Sequence, residues 1–233
     1  MKIYLVGGAV RDSLLGIEAK DKDYAIEAKS YDEMRAEFIR LGGTIYLERP
    51  EFFSIRGNLP TTGPADFTLC RKDGFYSDNR RPDSVEVGTI YDDLSRRDMT
   101  VNAIAVNIKT NEVIDPFNGR EDIENRLLRA VGDPRKRFDE DALRILRFLR
   151  FYVTKGFHIS EDVASLIRQE EIAKKLHNVS IERIREELYK MFSCNTIAAL
   201  EVFLDYDWIR YVIFEEISFN GNKIWLEPTL KER

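Results

Sequence analysis

Two acids one residue apart, Asp21 and Asp23 in Asp21-Lys22-Asp23, stand near the start of the chain. On an extended segment, residues two apart project to the same face, so both carboxylates emerge together. Like charges that close repel unless a cation joins them. Magnesium suits the pair, because it prefers hard oxygen ligands and keeps waters and nucleotide phosphates in its remaining positions. Two such ions lower the pKa of an attacking hydroxyl and stabilise a leaving pyrophosphate. Taken alone, the pattern is more often a solvated charged turn; a glycine turn upstream shifts that balance.

About one loop upstream lies Gly7-Gly8-Ala9-Val10-Arg11-Asp12. Glycines let the backbone approach a triphosphate, a helix N-terminus offers free amides, and Arg11 adds a forked cation. A plain tight turn is the bland alternative.

Farther along, Glu140-Asp141-Ala142-Leu143-Arg144 places Asp141 and Arg144 three apart, which on a helix makes them neighbours, an acceptor beside a donor. Arg147 and Arg150 continue the same step, while Ile145, Leu146, Phe148 and Leu149 occupy other angles. Asp66, within Ala65 to Arg71, is the candidate third carboxylate for deprotonating a hydroxyl, with Glu51 and Glu86 as alternatives.

These residues need a scaffold. Lys2 to Val6 has the composition of a strand, Ala9 to Leu15 of a helix closed by Gly16, and Asp23 to Ala28 of a second strand. Tyr31 to Leu41 is predicted helical, with strands at Thr44 to Leu47, Phe52 to Arg56 and Ala65 to Arg71. Lys72 to Ser95 is rich in turn formers without periodicity and is predicted to flex over a site. From Asp139 onward helical spacing dominates, with Ser160 and Ser180 as N-caps. The fold class is α+β: a head over residues 1–135 with a small mixed sheet, then an all-α neck and short body over residues 136–233, the change of character falling near residues 130–138.

Composition narrows the function classes. The 233 residues are 43% hydrophobic and 33% charged, ordinary globular values that argue against disorder. A net charge of −5 speaks against unspecific adhesion to nucleic acid, although Arg126, Arg129, Arg135, Lys136, Arg137, Arg144, Arg147 and Arg150 form a local basic run. No apolar stretch approaches the ~20 residues of a membrane span and no signal peptide is evident, so the expected location is cytoplasmic. Cys70 and Cys194 lie far apart, and with His158 and His177 they lack metal-ligand spacing, which argues against a zinc or disulfide framework.

In order along the chain, Gly-Gly-x-x-x-Asp, Asp-x-Asp, Arg96-Arg97-Asp98-Met99-Thr100-Val101-Asn102-Ala103, Asp115-Pro116-Phe117-Asn118-Gly119-Arg120-Glu121-Asp122 and Glu140-Asp141-Ala142-Leu143-Arg144 resemble the polymerase-beta-like nucleotidyltransferases. More narrowly, they resemble the class II tRNA nucleotidyltransferases and bacterial poly(A) polymerases. The resemblance implies addition of C and A to the 3′ end of tRNA from CTP and ATP, with two Mg2+ ions on Asp21 and Asp23. It implies phosphate contacts from Arg97, Arg147 and Arg150, ribose hydroxyl recognition by Asp98, and base selection by Asp141 and Arg144. It also links Lys72 to Ser95 with a flexible loop used in adding the terminal A. Asp115 to Asp122 and Arg126 to Arg129 match a structural link. Poly(A) synthesis, partial CC- or A-addition, and a catalytically idle tRNA-binding module are the competing functions. Proline is common in the family where Ala142 stands. Family members commonly continue into further helical domains that grip tRNA; a reduced enzyme, a homo-oligomer, or a partner supplying that surface would each account for the short C-terminal region.

Overall fold

The structure, a computed structural model, describes residues 1–19, 21–74, 84–219 and 222–228, with side chains described as far as Phe214. The chain divides into two compact units, with the break between Asn125 and Arg126. Among the described residues no helix is long and apolar enough to cross a membrane.

The first unit opens with β1 (Lys2–Val6), α1 (Gly8–Leu14), β2 (Asp23–Glu27) and α2 (Tyr31–Arg40). It continues with β3 (Thr44–Arg49), β4 (Ser54–Leu59), β5 (Gly63–Leu69), β6 (Arg71–Asp73) and β7 (Val85–Val87). It ends with α3 (Ile90–Ser95), β8 (Ala105–Asn107), β9 (Val113–Ile114) and α4 (Gly119–Glu124). Seven strands form one sheet in the order β3-β4-β5-β2-β1-β8-β9. The β2–β5 ladder is parallel and its neighbours antiparallel, so the sheet is mixed as expected.

Alternation explains which face is filled. Tyr24, Ile26, Ile55, Phe67 and Leu69 are buried with Met34 and Phe38 of α2, and Phe67 stacks on Tyr24 at 5.2 Å between ring centroids. Phe38 lies so close to Gly43 and Gly57 that a Cβ at either would come within 3 Å of its ring, which is why neither position carries a side chain. Cys70 is buried at the end of this layer, and burial pushes its thiol pKa far up.

Lys72 to Ser95 departs from the expected unstructured segment. Its ends hold the β6–β7 ladder and α3; residues 75–83 lie outside the described residues. The local cause is chemical: the Thr89 hydroxyl accepts from the Asp92 amide at 3.3 Å, and the Asp92 carboxylate accepts from the Thr89 amide at 2.8 Å. This capping box starts α3.

The second unit carries β10 (Leu127–Leu128), α5 (Pro134–Glu140), α6 (Leu143–Lys155), β11 (His158–Ile159), α7 (Glu161–Ile167) and α8 (Glu170–Ala173). Then come α9 (Ile181–Cys194), α10 (Thr196–Asp205), α11 (Asp207–Ile213), β12 (Phe214–Phe219) and β13 (Asn222–Pro228). It is helical apart from the short parallel β10–β11 ladder and the β12–β13 hairpin, which helical spacing does not predict. Helix α6 buries Ile145, Leu146, Phe148 and Leu149 and packs on α9, which buries Ile184 and Met191. Ser160 and Ser180 occupy the predicted N-cap positions, yet neither side chain makes the capping hydrogen bond. Cys194 is exposed at the end of α9.

Candidate active site

Strand β2 begins at Asp23, and Asp21 stands two residues before it, both exposed to solvent. In the parallel β2–β5 ladder, Asp66 is the register partner of Asp23. Strand register alone therefore sets these two carboxylates side by side. The protein atoms packed around Asp23 raise its pKa; Asp66 and Asp21 push the same way, while Arg97 pulls it down. Asp66 also lies 3.9 Å from Arg56, a loose pair with both side chains mostly in water. The alternatives sit elsewhere: Glu51 lies in the 3-10 turn Pro50–Phe52, and Glu86 faces Lys72 on the β6–β7 ladder.

Such a donor set fits a divalent cation. Its oxygens are hard, it is open to solvent, and the like-charge pressure on Asp23 is what a cation would relieve. Among the described residues no group of three or more His, Cys, Asp or Glu side chains is placed to hold a metal ion, so Asp21 and Asp23 would supply only part of a coordination shell. An ion here would keep positions for water and phosphate, as magnesium does with nucleotides.

Gly7 precedes α1 with φ 69° and ψ −135°, left-handed backbone that glycine adopts without strain. A Cβ on Gly7 would stand 3.0 Å from Arg97 Nη1, so the turn and that guanidinium share one spot. Arg11 behaves differently from the expected phosphate fork. It is 5% exposed, its Nε and Nη2 donate to Asp12 Oδ1 at 3.0 and 2.8 Å, and its Nη1 donates to Asn102 Oδ1 at 2.6 Å. As placed, Arg11 braces the turn from inside.

At the end of α3, Arg96 and Arg97 both bind Asp93. Burial alone would raise the Asp93 pKa, but Arg97 and Arg96 together outweigh it and hold the carboxyl below its usual value. Asp98 is buried, its Oδ1 accepting from the Met99 amide at 2.8 Å and Asn102 Nδ2 at 3.2 Å. The Asn102 carbonyl accepts from Arg97 Nη1 at 3.3 Å. Asn102 thus ties Arg11, Arg97 and Asp98 together. Neither Asn102 nor Asp93 stands out by composition; the available signal is the i, i+3 and i, i+4 spacing of Asp93 from the two arginines.

In the second unit, Asp141, Arg144, Arg147 and Arg150 are each half-buried while the residues between them are buried, matching the expected two-faced helix for the arginines. Asp141, however, is not on a helix. Its backbone is extended, φ −152° and ψ 105°, at the break between α5 and α6, so the helical-neighbour argument fails for it. The cause is its own side chain: Oδ1 accepts from the Leu143 amide at 3.1 Å, an acid competing for backbone donors at a helix start. Arg183 of α9 donates to both Asp141 oxygens, at 2.7 and 3.3 Å, a partner that sequence spacing could not reveal. Arg144 Nη1 donates to Glu140 Oε2 at 2.7 Å, and Arg150 Nε to buried Glu187 at 2.5 Å.

Two family models match the chain: the Poly A polymerase head domain over residues 3–129, and the probable RNA and SrmB-binding site of polymerase A over residues 156–217. A CCA-adding enzyme of Lactobacillus helveticus is 39% identical over 213 residues, covering 87% of this chain and 49% of its own length. The crystal structure of the Bacillus stearothermophilus CCA-adding enzyme in complex with CTP matches with a TM-score of 0.73 at 33% identity, over 86% of this chain and 47% of that one. The Thermotoga maritima CCA-adding enzyme complexed with tRNA_CCA gives a TM-score of 0.73 at 25% identity, over 94% and 50%. The chain spans about half the length of the relatives it matches. With a head-domain model matching more than half of its residues, on a mixed sheet that sets Asp23 beside Asp66, the chain belongs to the Poly A polymerase head domain family.

Proposed function

We propose that this chain is a CCA-adding tRNA nucleotidyltransferase, transferring C and A from CTP and ATP to the 3′ end of tRNA with release of pyrophosphate. The observation that carries the proposal is the placement of Asp66 opposite Asp23 in the β2–β5 ladder, with Asp21 on the same edge. The CTP- and tRNA-bound states of similar proteins support the choice of substrates.

The steps follow from these side chains. The Gly7 turn lets backbone approach the triphosphate, and the Arg97 guanidinium at that turn takes phosphate charge. Asp98 accepts from the ribose 2′-hydroxyl, which a deoxynucleotide lacks. Asp66 takes the proton of the primer 3′-hydroxyl, whose oxygen bonds the α-phosphorus as the bond to pyrophosphate breaks. Asp21 and Asp23 would hold two magnesium ions, which supply Lewis-acid stabilisation of both the attacking and the leaving oxygen.

Asp141 and Arg144 select the base. Cytosine and adenine both place an exocyclic amine beside an unprotonated ring nitrogen, so Asp141 accepts from the first and Arg144 donates to the second. Uracil and guanine present the reverse order and leave both groups mispaired, at ~1–3 kcal/mol each. Arg183 fixes Asp141 and Glu140 fixes Arg144, which lowers the cost of ordering them when the base arrives. Arg147 and Arg150 add phosphate contacts along α6.

A tRNA lacking its 3′ end, incubated with the protein and each labelled NTP in turn, tests the proposal. C and A incorporation is expected; equal incorporation of U and G would reject base selection. The polymerase A descriptions of both matching models favour a second reading, poly(A) synthesis, which a ladder of long A products on a gel would reveal. Products stopping at CC or at one A mark a partial enzyme, and tRNA binding without incorporation marks an idle module.

A further inference from the structure

We propose that Asp93 is a positioning residue that fixes the Arg97 guanidinium at the Gly7 turn for contact with the triphosphate of the substrate nucleotide. The inference rests on the phosphate role of Arg97 proposed above and adds the residue through which that role is set.

The Asp93 side chain is 2% exposed, an expensive place for a carboxylate unless cations surround it. Its two oxygens are divided between two arginines. Oδ1 accepts from Arg96 Nη2 at 2.5 Å and Nε at 3.1 Å, and Oδ2 accepts from Arg97 Nη2 at 2.9 Å and Nε at 3.3 Å. The Arg97 contacts use Nε and one terminal nitrogen, a forked arrangement that fixes the plane of the guanidinium. The other terminal nitrogen, Nη1, is thereby sent toward the Asn102 carbonyl and the Gly7 turn, 3.0 Å from where a Cβ would stand.

The charge count points the same way. One carboxylate serves two guanidiniums, and Arg96 has a second acid at 3.8 Å in Asp73, itself only 4% exposed and bound by Arg71 at 2.8 Å. Arg97 shares Asp93, otherwise bonds the neutral Asn102 carbonyl, acts on Asp23 through its field with no ion pair between them, and remains 21% exposed. Its position is therefore set by Asp93 while its charge is incompletely spent, the combination a phosphate-binding arginine requires.

Titration calorimetry of the whole chain with CTP in magnesium chloride, for the unmutated protein and for Asp93→Asn, Arg97→Ala, the double variant and Asp93→Glu, tests this, with a circular dichroism melt of each. Asp93→Asn removes the carboxylate charge that both guanidiniums share and turns an amide N–H toward one of them. It and Arg97→Ala are each expected to weaken CTP binding about tenfold, the scale of one charge-assisted hydrogen bond. The double variant is expected to bind no more weakly than Arg97→Ala alone. Full affinity in a folded Asp93→Asn protein overturns the inference, as does an undiminished Asp93 effect once Arg97 is gone. If Asp93→Asn fails to fold, Asp93→Glu decides. It keeps the charge but displaces the anchor by a methylene, so weakened CTP binding with an intact melt is expected, and full affinity overturns the inference. A failure of the underlying phosphate reading looks different: Arg97→Ala would bind CTP as the unmutated protein does, or the unmutated protein would not bind it, and the role of Asp93 would fall with that reading.

Discussion

The acids of the first unit and the polar groups of the second are positioned by different physics. Asp23 and Asp66 are neighbours because two strands pair in one register, and the backbone hydrogen bonds of the sheet fix the spacing whatever the carboxylates prefer. Asp141, Arg144 and Arg150 are placed by their own side-chain bonds, to Arg183, Glu140 and Glu187. A ladder can hold like charges together and leave them hungry for a cation. A helix junction held by ion pairs delivers groups already satisfied and therefore rigid, suited to reading hydrogen-bond patterns.

The comparison breaks most sharply at the acids. Asp21→Ala combined with Asp23→Ala is expected to reduce labelled-nucleotide incorporation to background while leaving the thermal melt unchanged, since both side chains are exposed and serve no core. Turnover persisting in that variant would remove the two-metal proposal. In the second unit the expected loss is of choice more than of rate. Asp141→Ala should raise U and G incorporation relative to C and A by about tenfold, because the Asp141 share of the mispairing penalty disappears while that of Arg144 remains. A variant that loses rate equally for all four nucleotides would show Asp141 to be only a helix-junction cap.

The smallest effect concerns stability. The folded pKa of Asp93 is depressed, so its contribution is fully present above the ordinary value of 3.8 and is lost as pH falls below that, through the depressed folded value. The urea midpoint of the unmutated protein should therefore decline more steeply below about pH 4 than that of Asp93→Asn. Parallel declines would show that other carboxylates dominate the acid limb.

Local signals in the sequence were good guides where structure is local. Helix α2 is legible from its spacing, and the turn at Gly7 from its two glycines. Asp66 was legible only as one acid among three, because pairing of β2 with β5 crosses more than forty positions of chain. Asp141 misled for the opposite reason: Glu140 to Arg144 has helical composition, yet the extended backbone at Asp141 and the bond from the Leu143 amide interrupt the helix there. Arg183 and Asn102 act through partners 42 and 91 positions away, beyond any spacing rule. Asp93 lay in a stretch whose turn-forming composition concealed a capping box.

The two thiols have unequal fates. Cys70 sits inside the sheet layer with its proton held firmly, while Cys194 meets water at the end of α9. Since the thiolate is the reactive form and needs access, alkylating dyes and oxidants meet one address on the folded chain. The protein thus carries, without any engineering, a single natural attachment point in its helical unit for a fluorophore or spin label.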